Sequence, residues 1–190
     1  MPGWAGRIRL EPPVRTLNGP GPAAVSAEWA DRLIREAHEA HAVRLVRVAL
    51  LLVGDRPSAE DVVQDAFFGL YRSLHRLRDP DKVLPYLHAA VVNRARSVLR
   101  SRRRAALRQI PFEPPVWSAE SAAIAGEERR EVLAAVARLP VRAREVLALR
   151  YYLDLPESEI AAILGISRGT VSSTASRALA ALGRELKEKP

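Results

Sequence analysis

The chain has 190 residues with a net charge of +8, and 48% of its residues are hydrophobic, enough for one large domain or two small ones. It has no cysteine, which excludes disulfides and thiolate metal sites and fits a reducing interior. The longest apolar run, Val48 to Val53, is far below the roughly 18 residues that a membrane span needs, and no signal-like apolar segment opens the chain, so a cytoplasmic protein is expected.

Residues 1–25 are rich in proline and glycine and lack periodicity, which predicts a disordered tail. Ser26 is placed to cap a first helix over 28–53, with Leu33, Ala37, Ala40, Arg44 and Val48 tracking one face and Leu45, Val46 and Leu52 beside it. Gly54 stops that helix. Ser58-Ala-Glu-Asp61 reads as a capping box with Asp in place of Glu. The second helix then runs to about Leu77 on a stripe of Val63, Phe67, Leu70, Leu74 and Leu77. Arg78 to Asp81 is a turn, and Pro85 suits the first turn of a third helix reaching about Arg108.

That third helix carries the charge asymmetry. Between Lys82 and Phe112 there is no acid, while Lys82, Arg94, Arg96, Arg100, Arg102, Arg103, Arg104 and Arg108 are basic. A polyanion is the natural partner, and the plainer alternatives are a solvated basic helix or one lying on a membrane surface. Prolines break residues 109–126 into a linker. Four more helices are expected, over about 120–138, 141–152, 157–164 and 168–187, with no persuasive strand. The fold class is therefore all-α, in two small helical domains, 26–108 and 127–187, joined by a flexible linker.

The last two helices have the residue pattern of a helix–turn–helix. Ile160, Leu164, Ile166 and Val171 are apolar, Ala161 is small where the helices cross, Gly165 stands where the backbone needs positive φ, and Ser167 can cap the second helix. The outward set of that helix is then Arg168, Ser172, Ser173, Ser176 and Arg177, all donors and none acidic, which suits base edges and phosphates in a major groove. A packed helical hairpin explains the apolar positions but not the acid-free outer face.

The stretch Leu139-Pro-Val-Arg-Ala-Arg-Glu-Val-Leu-Ala-Leu-Arg-Tyr-Tyr152, followed by Glu-Ile-Ala and Leu-Gly-Ile-Ser with Gly-Thr-Val-Ser-Ser, resembles region 4 of bacterial sigma factors. Ala59-Glu-Asp-Val-Val-Gln-Asp-Ala-Phe67 resembles region 2 of the extracytoplasmic-function (ECF) group of the sigma-70 family. Tyr86 to Arg100 is similar to that family's promoter-melting helix, although Tyr86, Val92 and Ser97 depart from the residues usual there. The resemblance covers about residues 35–186, with the family's region 3 missing.

What the resemblance implies is a promoter-specificity factor and no enzyme. Asp61, Gln64 and Asp65, with Phe68 beside them, would dock on a coiled coil in the largest catalytic subunit of core RNA polymerase. Read from spacing alone, the acids could instead complement the helix dipole. Arg78, Asn93, Arg94, Arg96, Arg100 and Arg103 would hold the opened minus-10 strand, with the loop from Arg78 to Leu84 capturing a flipped base. Asn93 could equally be a buried polar residue. Arg168, Ser172, Ser173, Ser176 and Arg177 would read the minus-35 duplex. Extended at about 3.3 Å per residue, 105–126 would span roughly 70 Å, about two duplex turns of roughly 34 Å each. An anti-sigma factor is a further expected partner. No cofactor is expected, and no metal: His38 and His41 lack a third ligand. The rival readings are a conventional helix–turn–helix regulator that works without polymerase, and a nuclease, for which no carboxylate cluster is found.

Overall fold

The computed structural model describes residues 27–74, 79–107 and 127–187. Among them every regular element is helical. The helices are α1 (Ala27–Val53), α2 (Arg56–Ser73), a 3₁₀ turn (Pro80–Lys82), α3 (Val83–Leu107), α4 (Glu127–Arg138), α5 (Val141–Leu147), α6 (Glu157–Leu164) and α7 (Arg168–Lys187). The expected tail, Ser26, Leu77, Arg78, Arg108 and the linker lie outside the described residues.

The amino-terminal half is a three-helix packing of α1, α2 and α3. Its centre is Leu45, Leu52, Val62, Leu70, Leu87 and Val91, all fully buried, and each such side chain contributes about 1.5–3 kcal/mol. The face of α1 that does this includes the expected Ala37, Leu45, Val48 and Leu52, with Leu33 and Val46 packed against it, and departs from the expectation at two positions. Ala40 and Arg44 are exposed, and the buried stripe is Ala37, Leu45, Val48, Ala49, Leu52 and Val53. Arg44 was carried onto the apolar face by counting in fours; its guanidinium turns outward to another element instead.

The start of α2 also differs. Gly54, at φ 92°, turns the chain so that Asp55 becomes the cap and accepts from the Ser58 amide at 3.0 Å. Pro57 sits in the first turn, where its missing N–H costs nothing. The capping box at Ser58 is therefore one turn too late. On α2, Val63, Phe67, Leu70 and Leu74 are buried as expected.

The carboxy-terminal half packs α4, α5 and α6 around α7. Pro140 precedes α5 as expected, but its expected α-helical continuation changes pitch. Residues Ala148–Tyr152 form a π-helical turn, closed by Leu153 N–H donating to the Ala148 carbonyl at 3.1 Å. Gly165 terminates α6 in the left-handed conformation at φ 65°, as the sequence requires. Ser167 Oγ accepts from the Thr170 amide at 3.1 Å and so caps α7.

The two halves pack directly on each other. One apolar cluster runs from Leu45, Val48 and Leu52 to Val146, Leu149, Ile160 and Val171. α1 meets α4, α5 and the π-turn, and α3 meets α6.

Candidate nucleic-acid interface

Three surfaces follow from this packing. The first lies on α2. Because Val62, Val63, Ala66 and Phe67 face the core, the intervening Asp61, Gln64, Asp65 and Phe68 are all exposed. Phe68 is 60% exposed, an unusual position for a large ring. The Arg72 guanidinium lies 5.9 Å from the ring centroid. Tyr71 extends the same apolar surface. Asp65 also stands 3.7 Å from Arg94 on α3, so the acidic face abuts the basic helix.

The second surface is α3. Asn93 is exposed, which removes the reading of it as a buried polar residue. Its neighbours Val91, Val92 and Ala95 fill the core instead. Tyr86 is half-buried, its hydroxyl 3.4 Å from Ser73 Oγ, and so acts partly as packing between α2 and α3. The arginines separate into two groups. Arg100, Arg103 and Arg104 are exposed and form no ion pair among the described residues. Arg102 is different: it donates to the Val53 carbonyl at 2.6 Å and to Asp55 at 2.5 Å, and it contacts Ser58. It pins the basic end of α3 to the α1–α2 corner rather than offering its charge to a ligand. Arg96 is likewise engaged, donating to both carboxylate oxygens of Glu145 at 2.6 and 2.9 Å.

The third surface is α7. Val171, Ala175 and Ala178 are buried against α5 and α6. That leaves Arg168, Ser173, Ser176 and Arg177 exposed and Ser172 half-buried. Ser173 donates to the Thr170 carbonyl at 3.3 Å and Arg177 Nε to the Ser173 carbonyl at 3.1 Å. These local bonds hold part of the donor set against its own helix, from which a ligand must draw it.

Sequence reasoning missed the residues that join the halves. Glu145 is a nearly fully buried carboxylate, bonded by Arg96 and, at 3.0 Å, by Arg142. Its neighbour Arg144 donates to the Leu52 carbonyl at 3.0 Å, while its Nε has no hydrogen-bond partner. Burial pulls the Arg144 guanidinium below its ordinary range, and the Glu145 charge opposes that shift. Arg44 donates twice to the Tyr152 carbonyl, at 3.1 and 2.7 Å. An acid directly before the apolar run Val146-Leu-Ala-Leu149 is the one signal the sequence offers here. It asks for a buried cation without saying which one.

Between the halves lies a cleft of about 840 Å³ whose lining includes Val43, Leu50, Val132, Tyr151 and Leu179. His88, buried under α1, is held neutral, its pKa lowered to about 4 by burial and by the charges of His41 and Arg44. His38 packs on the Phe67 ring, at 5.1 Å between centroids.

The geometry therefore pairs an exposed acidic and aromatic face with a basic helix and a donor-rich helix–turn–helix, and the family models correspond to the same division. Residues 37–105 match the model described as Sigma-70 region 2, and residues 129–182 match Sigma-70, region 4. The ECF RNA polymerase sigma factor SigL of Mycobacterium tuberculosis is 32% identical over 171 residues, covering 87% of this chain and 94% of that protein. The chain belongs to the sigma-70 family of RNA polymerase sigma factors. SigL is named as an ECF member, and three Streptomyces relatives, each 32% identical and covered over 79–80% of their length, are named RNA polymerase sigma-E factors. As a sigma factor it is a transcription initiation factor that binds RNA polymerase and DNA, and not an enzyme. The probable sigma factor RfaY of Xanthomonas campestris pathovar campestris is 32% identical over 150 residues, which cover 75% of this sigma factor and 37% of RfaY. Among solved structures, the sigma factor RpoE from Bartonella quintana, in complex with the anti-sigma factor NepR, shares the fold at a TM-score of 0.69. That match has 22% identity and covers 82% of this sigma factor and 98% of the RpoE chain. No helix among the described residues is long and apolar enough to cross a membrane.

Proposed function

We propose that this sigma factor brings core polymerase to promoters with two separate DNA-reading modules, residues 26–108 and 127–187, and that it works in the cytoplasm. Asp61, Gln64, Asp65 and Phe68 dock on the clamp coiled coil of the largest catalytic subunit. Arg168, Ser172, Ser173, Ser176 and Arg177 take the minus-35 duplex. Asn93, Arg94, Arg100 and Arg103, with Arg78 and the loop after it, hold the melted minus-10 strand. Arg96 joins them only when it leaves Glu145. The observation that carries this reading is that the acidic-aromatic face of α2 and the free arginines of α3 are both exposed on adjoining helices. One molecule can thus hold polymerase and opened DNA side by side. A conventional operator-binding regulator has no use for the α2 face.

An anti-sigma factor is a further partner in this reading. The NepR complex of the structural neighbour supports it, as does the apolar cleft between the halves.

The test is transcription with core polymerase on a genomic fragment library, with start sites mapped. Discrete start sites that depend on the chain are expected. Their absence on every template overturns the proposal.

A further inference from the structure

The cleft between the halves draws its walls from both. Leu50 and Leu51 on α1, Val136 on α4, Leu147 on α5 and Leu182 on α7 line it. Val43, Val132, Tyr151 and Leu179 belong to the same lining and stand exposed. Scattered apolar residues on a surface are ordinary, but a group of them around one concavity marks a place that a ligand covers. At about 840 Å³ the space falls within the roughly 300–1,000 Å³ of small-molecule sites, which are mostly apolar with a few placed polar groups.

The charges in that lining do not balance. Glu60 is paired with Arg56 at 2.7 Å. Arg47 makes no ion pair among the described residues, its guanidinium lying 3.4 Å from the Tyr152 hydroxyl. Arg144 donates to the Leu52 carbonyl at 3.0 Å, and its Nε has no hydrogen-bond partner. Glu145 beside it gives both carboxylate oxygens to Arg96 and Arg142. A desolvated cation with no carboxylate in contact is costly, and an anion brought into the cleft relieves that cost. The two cations approach α1 on adjacent turns, since Leu51, whose carbonyl lies 3.5 Å from Arg144, is four residues along from Arg47.

We propose that this cleft binds a fatty-acid anion, its carboxylate taken by Arg144 and Arg47 and its alkyl chain laid along the apolar walls. Each methylene buried there adds to affinity. A partner helix, about 10–12 Å across and rising 5.4 Å per turn, needs roughly 400–600 Å³ for each turn. It enters only if the halves part, whereas a single alkyl chain fits the cleft as it stands. Because both halves contribute the lining, bound ligand stabilises them together by mass action.

Calorimetric titration of the full-length chain with dodecanoate, below its micelle concentration, tests the site. Saturable binding at one site per chain is expected, with a thermal midpoint that rises with ligand concentration. Acetate has the head group alone, and dodecyltrimethylammonium has the same tail with the opposite charge. Each is expected to bind at least about tenfold more weakly. Arg47→Glu, on the surface, and Arg144→Met, which keeps an unbranched side chain there, are each expected to weaken dodecanoate by about tenfold. Circular dichroism checks that both fold, and if Arg144→Met does not, Arg47→Glu decides alone. Arg184→Ala removes an exposed arginine outside the lining and is expected to leave the affinity unchanged. Dodecanoate binding that does not saturate overturns the site. So does a cationic amphiphile that binds as tightly, or an Arg184→Ala loss as large as that of Arg47→Glu. An acidic amphipathic peptide that binds the chain when dodecanoate does not makes the cleft a protein-docking surface and overturns the proposal too. The measurement needs neither DNA nor polymerase, so its outcome is separate from that of the promoter reading.

Discussion

Arg102 and Asp55 connect the far end of the basic helix to the start of α2, with the guanidinium 2.5 Å from the carboxylate that caps that helix. The same arginine bonds the last carbonyl of α1. One side chain thus fastens three helices, and removing it takes this donor from the Val53 carbonyl and from one Asp55 carboxylate oxygen, the other still accepting from the Ser58 amide. Arg102→Ala is expected to lower the stability of the amino-terminal half by about 2–3 kcal/mol. Arg103→Ala, one residue along and exposed, is expected to stay within about 0.5 kcal/mol. Denaturant unfolding of the two variants checks the contrast.

Acid should unfold the protein in two stages. His88 is held neutral with its pKa lowered to about 4, against an ordinary 6.5. The unfolded chain therefore takes up this proton first, and stability falls as pH drops from 6.5 towards 4, by about 3 kcal/mol from this group. Burial acts to raise the Asp55 pKa, but the Ser58 and Arg102 hydrogen bonds outweigh it and hold the carboxyl below 3.8. Its contribution is present above that value and is lost as pH falls through the lower, folded pKa. His88→Leu is expected to flatten the first stage and leave the second. Thermal midpoints measured from pH 7 to 3 would show it.

The left-handed glycine of the helix–turn–helix gives a backbone test. A Cβ on Gly165 meets nothing within 4 Å, so only its φ of 65° resists substitution. Gly165→Val is expected to cost about 1–3 kcal/mol, and Gly165→Asn clearly less, since Asn tolerates that conformation. Unfolding midpoints that are equal for the two variants would contradict a purely conformational cost.

Salt dependence should distinguish the arginines of α3. Arg100 and Arg103 make no ion pair among the described residues, whereas Arg102 is committed to Asp55. Replacing Arg100 and Arg103 together by Ala is expected to lower the slope of log affinity against log salt by roughly 1.4–2 for holoenzyme on promoter DNA. Titration at several potassium chloride concentrations measures it.

Docking on polymerase is tested through the α2 face. Asp61→Arg with Asp65→Arg reverses two exposed charges and leaves the core of α2 untouched. Complex formation with core polymerase by size exclusion should weaken by at least about tenfold, with the thermal midpoint little changed.

Much of this was legible in the residues. Helices α6 and α7 and the turn between them have the expected limits, because Gly165 and Ser167 are local signals whose effect does not depend on the rest of the chain. The exposed set on α2 was legible for the same reason, since a 3.6-residue period and a clear apolar stripe fix both faces. The true cap at Asp55 was obscured by a second candidate, Ser58, three residues on. The stripe of α1 was legible except at Ala40 and Arg44, because that helix buries different faces against α2, α3 and the other half. The pairing of Arg96 with Glu145 spans 49 residues and follows from no periodicity. Such a contact is set by tertiary packing, which local pattern does not encode.

The π-turn at Ala148–Tyr152 ends α5 on a wider turn than the α-helical ones before it. Deleting a single residue there would let ordinary i→i−4 bonding resume and turn the exit of the chain from α5 by about 100°. The Tyr152 carbonyl would swing away from Arg44, and that contact between the halves would be lost with both side chains intact. The spacing of this short segment thus decides whether a backbone carbonyl meets its arginine across the seam.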